Sequence, residues 1–367
     1  MISQLKFRYL QIIISKNMKK SIYLIVLLAI AVSLIAVNRC SKKKSETKQV
    51  VIGDSQNPKN LPSSGGKTLE MILVIPNELY KGELKDTIGT YFLKTCDGLS
   101  QPEPLFDMVQ MQPKGFNNSE MFQKHRNILI IDFKTTNTEN TIFQNIDYKS
   151  YPQAYFQIIA NNRDSLYSII SRYAPTIISQ FYSNEHRRVA TAFKKLENIE
   201  ATKKLKNTFK FSLTISREFS IAKFDDNFAW FRKDYQANKQ QRTLNILVHK
   251  TPFLGDGMFD EKKIIELRDQ ISKENIPGPT RGSFMGSENR FPFTRKFVKI
   301  NGQVAVETRG LWRLFNDFMG GPFINYCFLD EKNNQFIMID CFVYAPNQNK
   351  RDELMQLESI VYSLKLE

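Results

Sequence analysis

The chain has 367 residues, with 52 Lys/Arg against 37 Asp/Glu, a formal charge of +15 and 42% hydrophobic residues. Residues 1–48 carry +9 of that charge, with ten Lys/Arg and one acid (Glu46), so the other 319 residues are only mildly basic. That distribution argues against a nucleic-acid partner, whereas a basic flank beside an apolar segment is what membrane insertion favours.

Met18-Lys19-Lys20 opens a positive segment, and Ile22 to Val37 form a run of 16 almost wholly apolar residues. That is short of the roughly 20 residues a spanning helix needs but suits the core of a signal peptide. Cys40 follows, with Ser41-Lys42-Lys43-Lys44 behind it. The reading is an export signal of the lipoprotein type in 1–40, with Cys40 as the lipidation site. Val37-Asn38-Arg39 lacks the small residue expected before a lipidated cysteine, so an uncleaved 22–37 anchor helix and a secreted form stay open. A start at Met18 accounts for the unusual extension 1–17. The expected location is the cell envelope, anchored to membrane lipid through Cys40 or the 22–37 helix. No acidic pair follows Cys40, which points to the periplasmic side.

Residues 41–68 lack apolar periodicity and read as a tether. Gly66-Lys67-Thr68 only mimics a phosphate-binding loop, because Leu61 stands where the upstream glycine is required. The patterns then predict a strand at 69–75, a helix within 78–96, and strands at 105–111, 127–134 and 153–160. A long helical region at 163–205 should bend or break near Pro175. Its polar side carries His186, Arg187, Arg188, Lys194, Lys195, Lys203, Lys204 and Lys206, a face for solvent or for acidic headgroups. From 209 the pattern is extended: 209–215, 217–224, 228–234 and 243–250. A helix at 260–274 buries Ile264, Ile265, Leu267 and Ile271. After a Gly/Pro-rich loop, 276–292, come strands at 295–300, 303–309, 322–330 and 335–345 and a last helix from about 350 to 363. The fold class is α+β: 69–205 and 206–367 are two α/β units of mixed or antiparallel sheets with flanking helices.

Leu99-Ser100-Gln101-Pro102-Glu103-Pro104-Leu105-Phe106, Arg309-Gly310-Leu311-Trp312 and Met319-Gly320-Gly321-Pro322-Phe323 resemble the domain of unknown function 4837 family of Bacteroidota-type lipoproteins. The export signal, Leu61-Pro62-Ser63-Ser64 and the terminal Leu357-Glu358 helix fit it too, so the likeness spans about 61–367. It implies a cell-envelope lipoprotein of unknown activity. The second half also resembles the PsbP-like α/β/α sandwich, through Phe219-Ser220-Ile221, the 260–274 helix, Asn301-Gly302-Gln303-Val304-Ala305 and Val361-Tyr362-Ser363-Leu364. Proteins of that fold are mostly accessory and binding factors, but a fold does not carry a mechanism.

The chemistry-bearing residues are sparse. His125, His186 and His249 stand in separate segments with no metal-ligand spacing, so neither metal nor cofactor is expected. No Gly-x-Ser-x-Gly elbow occurs, and Gly53-Asp54-Ser55 lies in the tether. Glu103, Asp317 and Asp340 could meet in space as a carboxylate set. Of Cys96, Cys327 and Cys341, an odd number that argues against a disulfide framework, Cys327 and Cys341 read as two buried thiols with a bridge as the alternative, and Cys327 is expected nearer to Ile339 than to Cys341 across a hairpin. The best binding candidate is 309–326, where Arg309, Trp312, Arg313, Asn316, Asp317, Gly320 and Gly321 combine guanidinium, indole and a close-approach turn. Arg281 in the 276–292 loop is the second. The alternative for the first set is structural: an Arg309–Asp317 ion pair with Trp312 in the core. The functional expectation is a non-catalytic binding or assembly module for an envelope protein, peptide or glycan. The competing class is a hydrolase or transferase acting on an envelope polymer.

Overall fold

The computed structural model describes residues 50–53, 57–237 and 239–367. The expected export signal, with Cys40, lies outside them. Strands β1 (Val51–Ile52), β2 (Glu70–Val74), β3 (Asp107–Met111), β4 (Asn127–Phe133), β5 (Thr141–Ile146) and β6 (Ala154–Ala160) form one sheet in the order β1-β5-β6-β4-β2-β3. β2, β3, β4 and β6 are mutually parallel and β5 runs antiparallel to β6. Parallel strands need both faces covered, and β2 shows how. Met71 and Leu73 join the core under helices α1 (Gly82–Phe92) and α4 (Arg163–Lys195). Ile72 and Val74 pack on the other face with Phe116 of the short helix α2 (Pro113–Asn117), which α3 (Glu120–Gln123) follows. β5 was not foreseen, because only Thr141 and Ile142 at its start are buried and the rest lacks a clean alternation.

α4 runs through Pro175 without ending there. Leu166, Ile170, Ala174, Ile177 and Phe181 keep one buried stripe across the proline. Pro175 and Ser171 are both exposed, so the carbonyl that loses its helical partner faces water, which lowers the cost of the ring. The break comes instead at 196–198, where the Asn198 side chain accepts from the Ala201 amide at 3.0 Å and opens α5 (Ile199–Phe209).

The rest of the chain is antiparallel. β7 (Phe211–Ser212) pairs with the terminal β16 (Lys365–Leu366). β8 (Ser220–Phe224), β9 (Phe228–Ala237), β10 (Gln240–Pro252), β11 (Phe284–Ser287), β12 (Thr294–Ile300), β13 (Gln303–Phe315), β14 (Gly320–Asp330) and β15 (Gln335–Tyr344) form the second sheet. Its order is β11-β13-β14-β15-β10-β9-β8, with β12 attached to β13 beside β11. One face, with Ile246, Tyr326, Ile339, Cys341 and Val343, is covered by α5 and by α7 (Arg351–Val361). The opposite face, with Leu247, Trp312, Phe323 and Phe342, is covered by α6 (Glu261–Asn275). This is an α/β/α layering. Cys96, Cys327 and Cys341 are free, buried thiols, and Cys327 stands opposite Met338, nearer to Ile339 than to Cys341 as the hairpin reading expects.

α7 is shared between the two halves of residues 50–367. Leu354, Leu357, Ile360 and Val361 belong to the second sheet's core, while Met355 joins the core of the first. Its N-terminus is held by Glu103, whose carboxylate accepts from the amides of Lys350 at 2.8 Å and Arg351 at 3.1 Å. Arg351 in turn donates to the Pro104 carbonyl and to Asp107. The Gln101–Pro104 turn thus supplies a helix cap from far away in sequence.

Candidate functional site

Residues 178, 179, 182, 183, 186, 187, 190, 191 and 194 recur at helical spacing and form one wall of a cleft of about 1480 Å³. The end of α1 with Lys94 to Asp97, strand β12 from Lys296 to Lys299, and the end of α7 with Glu358, Ser359 and Tyr362 form the others. Lys94, Lys194, Lys195, Lys296, Lys299 and Lys365 stand exposed around it, and Asp97 is an exposed acid among them. Lys194 pairs with Glu197, and Lys296 reaches Glu307 at 3.1 Å.

The floor is a buried ionic group. Glu307 and Arg309 lie two apart on β13 and so share a face, the one turned toward α7. Arg309 donates from Nε to Glu307 at 2.7 Å and from a terminal nitrogen to Glu358 of α7 at 2.8 Å. Burial raises the carboxyl of Glu307, but the Arg309 and Lys296 charges and hydrogen bonds outweigh it and hold the group below the ordinary range. Burial likewise opposes the charge on Arg309, and its two carboxylate neighbours overcome it. The Tyr326 hydroxyl beside them is fully buried and pushed well up, by burial first and then by Glu358 and Glu307.

His186, on α4, stacks on Tyr362 with ring centroids 4.2 Å apart, and its Nδ1 lies 3.1 Å from Ser359 Oγ. The pair lacks the arrangement of a nucleophile and its base. Ser359 Oγ already donates to the Met355 carbonyl at 2.6 Å, so His186 is the donor to the hydroxyl. Burial lowers the histidine below its ordinary value and keeps it neutral. Cys96 also lines the cleft, with its thiol pushed up by burial.

The structure distributes the residues singled out in sequence. Of the binding candidates at 309–326 and Arg281 only Arg309 lines the cleft, whereas Cys96 and, from the basic helix face, His186, Arg187, Lys194 and Lys195 line it as well. Arg309 pairs with Glu307 and Glu358, not with Asp317. Trp312 is 3% exposed, in the core below α6, and its Nε1 donates to the Val343 carbonyl at 3.1 Å. A Cβ on Gly321 would strike that same carbonyl, and one on Gly320 would lie 2.9 Å from the carbonyl of Trp312. Arg313 is half-exposed, 3.6 Å from Glu288 and over the Phe315 ring. Asn316, with φ of 62°, and Asp317 make the turn from β13 to β14, where Asp317 accepts from Thr280 at 2.7 Å and Asn316 donates to the Gly282 carbonyl. Arg281 is exposed on the adjoining loop. The 309–326 segment is therefore mostly two paired strands, and its arginine and tryptophan anchors are buried on opposite sheet faces.

The carboxylates do not gather either: Glu103 caps α7, Asp317 holds a loop, and Asp340 accepts from Arg268 at 2.8 Å and Asn325 at 3.0 Å. Among the described residues no three His, Cys, Asp or Glu converge as for a metal ion, and no helix is long and apolar enough to cross a membrane. The Glu307–Arg309–Glu358 floor was missed. Its signal was present as two opposite charges two residues apart on a strand otherwise rich in buried positions, but the third member comes from a helix 49 residues later.

Residues 198–363 match a domain of unknown function, DUF4837, and residues 64–194 match a second one, DUF8532. The family likeness read across 61–367 thus divides, and the Leu99–Phe106 segment falls in the second family's region. No curated protein matches the chain. Among solved structures it is similar to the Saccharomyces cerevisiae Ran-binding protein Mog1p, at 8% identity over 43% of this chain and 90% of that one, with a TM-score of 0.28. A mutant of protein Mog1 aligns over the same shares at 9% identity and the same TM-score.

Proposed function

We propose, with residues 198–363 matching the DUF4837 family, that the chain is an exported, membrane-tethered module of the cell envelope that binds an anionic ligand in the α1–α4–β12–α7 cleft. The observation that carries this reading is the cleft itself: about 1480 Å³ of open volume ringed by exposed lysines. Lysines converging on a recess with low-dielectric walls focus positive potential where a flat surface would disperse it. Export and attachment rest on Met18–Lys44, with Cys40 as the acceptor of lipid and the periplasm as the side faced.

Binding is favoured over catalysis by the state of the floor. At the floor Glu307 and Glu358 flank a single guanidinium that engages both, so neither is a free carboxyl of the kind a glycan hydrolase pairs. Such an enzyme needs one carboxyl raised so that it can donate a proton. Glu307, held low by Arg309 and Lys296, is not that carboxyl.

Two measurements test the proposal. A fluorescein-labelled oligoglutamate should bind the full chain, more weakly as salt rises. The triple variant Lys94→Glu, Lys195→Glu, Lys299→Glu should weaken it at least tenfold, and binding unaffected by that variant would sink the cleft assignment. Separately, metabolic labelling with a fatty-acid analogue should mark the wild type and not Cys40→Ala. A membrane-bound but unlabelled wild type would leave the 22–37 helix as the anchor. Turnover of an envelope glycan that is lost in Glu358→Gln would favour the hydrolase.

A further inference from the structure

β12 is hydrogen-bonded along one side only. Among the described residues its sole strand partner is β13, from Thr294 opposite Arg309 to Ile300 opposite Gln303. The two strands are joined by Asn301 and Gly302, with φ of 47° and 96°. Positive φ at both positions of a two-residue turn is the type I′ pattern, which makes Ile300 and Gln303 a hydrogen-bonded pair. Alternation along the ladder then directs the amides and carbonyls of Val298, Lys296 and Thr294 to β13. Those of Arg295, Phe297 and Lys299 point away from it. A free edge of this kind is a template for another strand, and proteins usually blunt it with charge or cover.

The two faces of this edge differ in chemistry. Lys296 and Val298 share the face of Glu307, toward α7 and the cleft, where Lys94, Lys194 and Lys365 also stand. Phe297 lies on the other face with Lys299 and with Val304 of β13, which stands opposite Lys299. Phe297 and Val304 are 68% and 57% exposed, beyond the cover that α6 provides, and Phe297 and Lys299 reach the rim of the cleft. Burying such residues is worth a good deal to a protein, yet they are left in water. Arg295 sits over the Phe297 ring at 5.1 Å.

We propose that the β12 edge is a docking site for an extended segment of a partner protein, added as a further strand, in which acidic and apolar side chains alternate. Residues on one face of that strand meet the lysines of the cleft, and those on the other cover Phe297 and Val304. The backbone bonds supply affinity and the two unlike faces set the register. This deepens the cleft reading and rests on it for the acidic half of the recognition.

The test uses the full chain and labelled eight-residue peptides. The alternating Glu-Val peptide should bind at least tenfold more tightly than a peptide of four glutamates followed by four valines. N-methylation of one alternate set of its amides should abolish binding, while methylation of the other set should leave it within about threefold, because an added strand turns only one set toward β12. Phe297→Pro removes an outward amide and no bond to β13, so it should weaken binding tenfold or more beyond Phe297→Ala. If both methylated peptides bind like the parent, or the block peptide binds equally well, edge pairing is wrong while the anionic cleft stands. If neither the alternating peptide nor oligoglutamate binds, both fail. A dimer in sedimentation that Phe297→Pro dissociates would assign the edge to a second copy and overturn the partner proposed.

Discussion

Arg309 shows what one side chain does when two elements share it. It neutralises Glu307 from its own strand and Glu358 from α7, so removing it strands two buried carboxylates. Arg309→Met should therefore cost about 3–5 kcal/mol in urea unfolding, more than loss of an exposed ion pair would. Arg309→Lys should recover only part, since an ammonium cannot span both acceptors as a guanidinium fork does. A second residue-scale expectation concerns the histidines. Burial lowers His125, His186 and His249 below their ordinary value of 6.5. Between that value and the lower folded values the unfolded chain takes up more protons than the folded one. Stability should then be fully present above about pH 7 and fall as the pH drops through 6.5 toward 5. His186→Gln should flatten the fall. A slope indifferent to that substitution would remove His186 from the account.

At the scale of elements, α7 is organised by residues far from it in the chain. Glu103 accepts two of its first amides, which a helix otherwise leaves to water or a local cap. Glu103→Ala should destabilise the protein by about 1–2 kcal/mol and speed amide exchange in the first turn of α7, with α4 unaffected. Equal loosening of both helices would argue against a capping role. The β13–β14 hairpin holds a comparable constraint. Gly321 lets β14 pass the Val343 carbonyl that Trp312 also engages, so Gly321→Ala should unsettle the tryptophan site and shift its fluorescence. Both motifs stood out in sequence for their composition, and both turn out to serve packing.

For the molecule as a whole, the two sheets are coupled through α7, which contributes Met355 to one core and Leu354, Leu357 and Ile360 to the other. Calorimetry of residues 50–367 should accordingly show a single transition, and Met355→Asp should split it in two. The split would follow because a buried, unpaired carboxylate at that position disrupts the first core and leaves the second intact. A wild type that already melts in two steps would show that the shared helix does not couple them.

Much of the architecture was legible from periodicity. The 260–274 helix, the alternating strands after 209 and the buried thiol at Cys341 followed from spacing alone, because a 3.6 or 2.0 repeat of apolar residues reports which face meets a core. β5 escaped because Thr141-Ile142-Phe143-Gln144-Asn145-Ile146 buries only its first two residues and shows no such repeat. Whether α4 bends or breaks at Pro175 stayed open because its continuation depends on solvent reaching one carbonyl. The residues expected as a site at 309–326 were misplaced for a related reason: Arg and Trp are as useful inside a protein as on it, and spacing does not say which.

What the sequence by itself determined is the α+β class and several of the buried stripes, since both are written in local composition and repeat. What only the tertiary structure decided is the cleft. Its walls come from α1, α4, β12 and α7, and its floor joins residue 309 to residue 358. The free edge of β12 belongs to the same class of fact, because an unpaired strand side is defined by what no other segment does. Long-range packing brings together groups that no window of sequence contains, and there the charge of one lysine or the partner of one arginine is set.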